Sequence, residues 1–178
     1  MNKLIIIRFG YRLERDFRIT THLALVSRAL GADGMIITDI NDKKIKNSIE
    51  KINSQWGGNF FINMGVKWRT IIRQIKKNGD LLVHLTMYGK KLEDSIINEI
   101  QNFQKDVYIF VGAKKVPPEI YKEANYNIAI SHQPQSEVGA LAIFLDRFFK
   151  GQNLYREFED AKLQIIPSKA GKKVKKLG

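Results

Sequence analysis

The strongest constraint on the fold is an alternation of two periodicities, repeated about six times along the chain. A short apolar run is followed by a longer segment whose apolar residues recur at helical spacing, and the pair then repeats. Asn2–Phe9 is the first such run and ends at Gly10; Met35–Thr38, Phe60–Ile62, Leu81–Thr86, Tyr108–Val111 and Tyr126–Ile130 follow it. Continuous apolar strands separated by helices are buried on both faces. The pattern therefore predicts an α/β fold, a mainly parallel sheet with helices on both faces.

The intervening segments agree. Thr20 or Thr21 can cap a helix running to Leu30, where Gly31 supplies a left-handed stop. Ile45, Ile49, Ile52 and Trp56 share one helical face, and Trp68, Ile71, Ile72 and Ile75 share another. Met87-Tyr88-Gly89 is expected to close the fourth strand, before a helix that turns Leu92, Ile96, Ile97, Ile100 and Phe103 inward. His84, inside that strand, reads as a core histidine. The last helix, Ser136 to Lys150, is apolar on every side between Val138 and Leu145. A helix with no wet face points to a subunit interface, so a homodimer is expected. Beyond Gly151, Ala161, Leu163 and Ile165 alternate with polar residues, and Pro167–Gly171 can turn the chain into a lysine-rich end. The division implied is residues 1–153 as the main domain and 154–178 as a C-terminal hairpin with a basic tail.

At 178 residues, 44% of them hydrophobic, the chain can bury a sizeable core. There is no cysteine, which excludes thiolate metal sites and disulfides and fits a reducing compartment. His22, His84 and His132 lack ligand spacing, so no metal is expected. Leu4–Ile7 is too short for a signal segment or a membrane span, and a cytoplasmic protein without membrane contact is expected.

The net charge is +12, with a pI near 9.8. Such an excess favours a polyanion, most often nucleic acid, although a solvated basic surface needs no partner. The positive residues are grouped. Arg8, Arg12, Arg15 and Arg18 crowd one short stretch, only partly offset by Glu14 and Asp16. They suit bidentate phosphate recognition, or equally pairing with those acids. Lys67, Arg69, Arg73, Lys76 and Lys77 form a stripe on the wet side of one helix, and Lys172 and Lys173 lie in the tail.

Two loops follow the fifth and sixth strands: Gly112–Pro118 and Ser131–Glu137. Ligands of parallel sheets bind beyond the carboxyl ends of the strands, so these loops read as the lips of a site. The site is not of a common type. No GxGxxG follows a strand, Gly112-Ala113-Lys114-Lys115 lacks phosphate-loop spacing, and neither HExxH nor GxSxG occurs.

Four segments carry a resemblance across essentially the whole chain: RxGxRxxRDxRxTTHxALxxRAxGADG at Arg8–Gly34, HLTMYG at His84–Gly89, VGAxKVP at Val111–Pro117, and QPxSEVxALAxxLDR at Gln133–Arg147. Together they resemble the archaeal tRNA cytidine-56 ribose 2′-O-methyltransferases, of the SPOUT class. The resemblance implies a C-terminal trefoil knot within about residues 84–150, S-adenosylmethionine held in it, a homodimer built on it, and a C-terminal β-hairpin. Carried over by position, the cofactor would contact Leu85, Gly112, Ala113, Lys114, Lys115 and Val116. It would also contact Ala129, Ile130, Ser131, His132, Gln133, Pro134, Gln135 and Ser136. Gly112 would let the backbone come close to the ligand. The chain departs from the family pattern at Lys114, where Glu is expected, and at Ser131, His132 and Gln135, where Gly, Asn and His are expected.

In related enzymes an arginine early in the chain assists the 2′-oxygen, which implies Arg18, with Arg15 second. Ser136 would orient the acceptor hydroxyl or simply cap its helix. Arg8, Arg12, Arg69, Arg73, Lys172 and Lys173 would bind a folded tRNA by shape and backbone. The same residues would also serve a related methyltransferase acting at another RNA position, or a non-catalytic RNA-binding module.

Overall fold

The computed structural model describes residues 2–13 and 15–177. Glu14, counted above among the acids of the arginine stretch, lies outside them. The sheet is built around β1 (Leu4–Phe9), whose six residues are all buried. On one side of it lie β2 (Gly34–Ile37) and β3 (Phe61–Met64); on the other lie β5 (Val107–Gly112), β4 (Leu81–Lys91) and β6 (Tyr126–Ala129). The order β3-β2-β1-β5-β4-β6 is parallel at every pairing. β6 does not follow β5 at the edge but pairs on the far side of β4.

Period-two alternation sorts β1 between two cores. Ile7 and Phe9 face the layer that contains α3 (Trp68–Asn78) and α5 (Pro118–Glu123), where Trp68, Ile71, Ile72, Ile75 and Ile120 are buried. Leu4 and Ile6 face the larger core, which holds Leu23 of α1 (Phe17–Ala29), Ile45 and Ile49 of α2 (Lys43–Trp56), and Ile97 and Ile100 of α4 (Asp94–Gln101). Leu141, Phe144 and Leu145 of α6 (Glu137–Phe148) complete it.

Three expectations are corrected. α1 begins at Phe17, not after Thr20 or Thr21, which lie inside it: Thr20 is buried and Thr21 bonds back to the Phe17 carbonyl. β4 does not close at Met87-Tyr88-Gly89 but continues to Lys91. Leu85 and Lys90 both register with Ile128, so Thr86–Gly89 bulge out of the ladder. α6 has a partly exposed side: Ile143 is 47% exposed.

The hairpin is present as β7 (Leu163–Ile165) paired antiparallel with β8 (Val174–Lys176). The segment leading to it docks on the end of α2, where Gly58 N–H donates to Asp160 (2.8 Å) and Lys162 N–H to the Gln55 carbonyl (2.9 Å). Arg28 helps seat it. Its guanidinium lies 4.5 Å from the centre of the Phe158 ring and donates to Asn53 and to the carbonyls of Trp56 and Gly57. No helix among the described residues is long and apolar enough to cross a membrane.

Candidate active site

A cavity of about 730 Å³ opens where β4, β5 and β6 end, the place the parallel topology favours. That volume suits a nucleoside-sized ligand. Its apolar wall is Leu85, Val111, Val116, Ile128 and Ile130. Gly112 lets the β5 loop fold tightly, because a Cβ there would lie 2.5 Å from Val116 Cγ2 and 3.1 Å from the Lys114 carbonyl. The glycine is thus demanded by the loop's own packing.

Of the residues expected to touch the cofactor, Leu85, Gly112, Lys114, Lys115, Val116, Ile130, Ser131 and Gln135 line the cavity. Ala113, Ala129, His132, Gln133, Pro134 and Ser136 do not. Ala129 is buried in β6. His132 Nε2 pairs with the Gly89 carbonyl (3.0 Å), joining the β6 loop to the β4 bulge. Ser136 is the N-cap of α6, its Oγ accepting from Val138 N–H (3.2 Å). Lys114 runs back toward β1, with Nζ 5.7 Å from the centre of the Phe9 ring.

Several lining residues carried no expected role. Thr86, Met87 and Tyr88 come from the bulge, Tyr121 and Lys122 from α5, and Glu137 from the first turn of α6. His84 also lines the cavity and is 1% exposed. Its Nδ1 lies 2.9 Å from Asn127 Oδ1, while Asn127 Nδ2 donates to the Tyr121 carbonyl (2.8 Å). The Asn127 oxygen must therefore accept, which makes Nδ1 the protonated nitrogen of a neutral ring. Burial holds the His84 pKa below its usual value, and the Asn127 bond only partly opposes it.

The arginine group divides. Arg8 was expected on an RNA-facing surface, and that assignment is corrected. It is the next alternating residue after Leu4 and Ile6, so it points into the α1–α6 side and is fully buried. Its Nη2 bonds Glu137 Oε1 at 2.8 Å, and Nε lies 3.4 Å from Thr20 Oγ1. Arg12 closes a forked pair on Asp16 (2.8 and 3.0 Å), and this bond is the main reason the Asp16 pKa is depressed. Arg15 and Arg18 are exposed and do not line the cavity. On α3, Arg69 pairs with Glu119 of α5 (2.8 Å) and Lys76 pairs with Glu123, while Arg73 bonds the Arg69 carbonyl (3.3 Å). Lys172 and Lys173 are exposed before β8.

Solved structures with this fold include SpoU- and TrmH-type RNA methyltransferases. The A. aeolicus TrmH/SpoU tRNA modifying enzyme matches with a TM-score of 0.62 at 16% identity, covering 89% of this chain and 81% of its own. The SpoU methyltransferase AviRb from Streptomyces viridochromogenes, solved with AdoMet, matches with a TM-score of 0.58 at 12% identity, over 85% of this chain and 58% of its own. At such identities the likeness concerns the fold. The sequence goes further: the family model of the tRNA ribose 2′-O-methyltransferases, aTrm56, matches residues 56–175. The tRNA (cytidine(56)-2′-O)-methyltransferase of Staphylothermus marinus is 52% identical over 175 residues, covering 98% of this chain and 94% of its own. That of Methanocaldococcus jannaschii is 52% identical over 171 residues, covering 95% and 94%. The chain belongs to the aTrm56 family of tRNA ribose 2′-O-methyltransferases.

Proposed function

We propose that the chain transfers a methyl group from S-adenosylmethionine to the ribose 2′-hydroxyl of cytidine 56 in tRNA. The observation that carries this is identity of about half the residues, over almost the whole length, to relatives bearing that activity in their names. The cavity fits the donor: apolar side chains can enclose a purine, and Lys114, Lys115, Lys122 and Glu137 offer charges of both signs to an amino-acid zwitterion. When bound, S-adenosylmethionine supplies a methyl group already activated by its sulfonium.

The chain must then hold the 2′-oxygen in line with that methyl group and take up its proton. Arg18, with Arg15 as the second candidate, would provide positive charge beside the 2′-oxygen. Neither arginine lines the cavity of its own chain, and a homodimer reconciles this by completing the acceptor site across an interface. Exposed Ile143 on α6, with exposed Leu154 and Tyr155 just beyond it, supports that interface. The knot is supported by the passage from β5 over β4 to β6 and back to α6 beside α1. Arg15, Arg18, Arg69, Arg73, Lys172 and Lys173 are exposed cations that would meet the phosphates of cytoplasmic tRNA.

The test is incubation of unmodified tRNA with methyl-labelled donor, followed by nuclease mapping and mass spectrometry. One label on the ribose of cytidine 56 is expected; label at any other nucleotide, or on a base, would overturn the assignment.

A further inference from the structure

We propose that Glu137 is the group that recognises the positive sulfonium of the methyl donor, and that Arg8 is the positioning residue that holds it there. This rests on the cavity being the donor site. Among the described residues lining it, Glu137 is the one carboxylate, set against Lys114, Lys115 and Lys122. The donor carries one carboxylate and two cationic centres. Three ammonium groups can receive the carboxylate, but they oppose the cations. Only Glu137 can offset them.

The side chain is built for that task. It stands in the first turn of α6 on the cavity wall, and its side chain is 30% exposed. One oxygen, Oε1, is occupied by Arg8 Nη2 at 2.8 Å. The other makes no hydrogen bond among the described residues, so the carboxylate is fixed in direction yet keeps an acceptor to offer. Arg8 is fully buried, and its Nη1 has no partner among the described residues. A buried guanidinium with an unused donor is a costly way to pin one helix turn. It makes sense where the orientation of its partner matters.

The helix that carries Glu137 indicates which end of the donor it meets. Glu137 opens α6, whose exposed Ile143 would face the interface across which the acceptor site is completed, so the reacting sulfonium belongs at that wall. The demethylated product, S-adenosylhomocysteine, has a neutral thioether in that place. A carboxylate there favours donor over product and lets the spent product leave.

Titration calorimetry of the wild type and E137Q with S-adenosylmethionine and with S-adenosylhomocysteine tests this. The amide keeps an oxygen for Arg8 and removes the charge, putting an NH2 donor in place of the free acceptor oxygen. A charge-assisted contact of this kind predicts a fall of about tenfold in donor affinity, with product affinity changed by less than about twofold. Equal losses for both ligands, or no loss for either, would overturn the inference. If the wild type binds neither ligand, the donor-site reading fails instead, which is a distinguishable result. Should E137Q not fold, the R8M/E137Q pair removes both charges together, and the same fall in the donor-to-product ratio is required of it.

Discussion

Gly89→Ala isolates how the β4 bulge shapes the cavity. A Cβ at Gly89 would lie 2.4 Å from the Asn127 carbonyl oxygen and 2.5 Å from both the Asn127 carbonyl carbon and Ile128 N. All three are backbone atoms of β6, so no rotamer change can relieve the contact. Ordinary carbon contacts need about 3.5 Å, and β6 must therefore retreat by about 1 Å. Overpacking of that kind costs about 1–3 kcal/mol, and a chain of this size loses about 2–4 °C per kcal/mol. The displaced strand includes Ile128, and the bulge includes Thr86, Met87 and Tyr88, all of them cavity walls. A wall moved by about 1 Å should lower methyl transfer by about a hundredfold. Gly112→Ala is the comparison: its closest contact, at 2.5 Å, is the side-chain atom Val116 Cγ2, and its one backbone contact, the Lys114 carbonyl, lies at 3.1 Å, so its melting point should fall less. Thermal melts and donor titration of both variants decide the matter. A Gly89→Ala protein that melts with the wild type and binds donor equally would refute the packing on which the site is built.

Arg18→Ala should abolish methyl transfer while leaving S-adenosylmethionine affinity nearly unchanged, because Arg18 is exposed and outside the cavity; equal losses in titration and turnover would remove its acceptor role. His84 has a depressed pKa in the folded chain, so its contribution to stability is complete above about pH 6.5 and falls as pH drops below the unfolded value. At pH 5.5 this loss is at most about 1.4 kcal/mol; urea midpoints at pH 7.5 and 5.5 should differ less in His84→Gln than in the wild type. Ile143→Glu should leave the single chain folded but raise the dimer dissociation constant by at least about a hundredfold, since a charge would have to be buried unpaired. Light scattering across a dilution series reads that directly.

The sheet was legible because its strands are unbroken apolar runs, a pattern that two-sided burial imposes on the sequence itself. The two loops were legible for a related reason: in a parallel sheet they can only emerge at the carboxyl end. What was hidden depends on partners far along the chain. Thr20 or Thr21 reads as the helix cap, but the N-cap position falls on Asp16, whose carboxylate is taken by Arg12, so α1 starts at Phe17 without a side-chain cap. Thr86–Gly89 reads as a strand end because a bulge has no local apolar signature, and its pairing to β6 is tertiary. Tyr121 and Lys122 sit on a short helix that shows no sign of a cavity until it is folded over β4. Glu137 lies inside the Gln133–Arg147 motif, yet its partner Arg8 is 129 residues away in sequence.

Arg8 also shows why counting charges overstates a binding surface. Period-two alternation already placed it with Leu4 and Ile6, opposite Ile7 and Phe9, and so inside the protein. Its closeness in sequence to Arg12, Arg15 and Arg18 does not put it on their surface. With Arg8 paired to Glu137, Arg12 to Asp16 and Arg28 packed on Phe158, three of the arginines in the Arg8–Gly34 motif hold the fold together. The stripe on α3 is likewise partly neutralised, by Glu119 and Glu123. Such exposed pairs are worth at most about 1 kcal/mol each, so a phosphate can displace them at little cost, whereas none could reach Arg8. The charge that matters for a polyanion is therefore the exposed subset, which includes cations at the start of α1, along α2 and α3, and before β8. A net charge of +12 does not distinguish that subset from the cations spent inside.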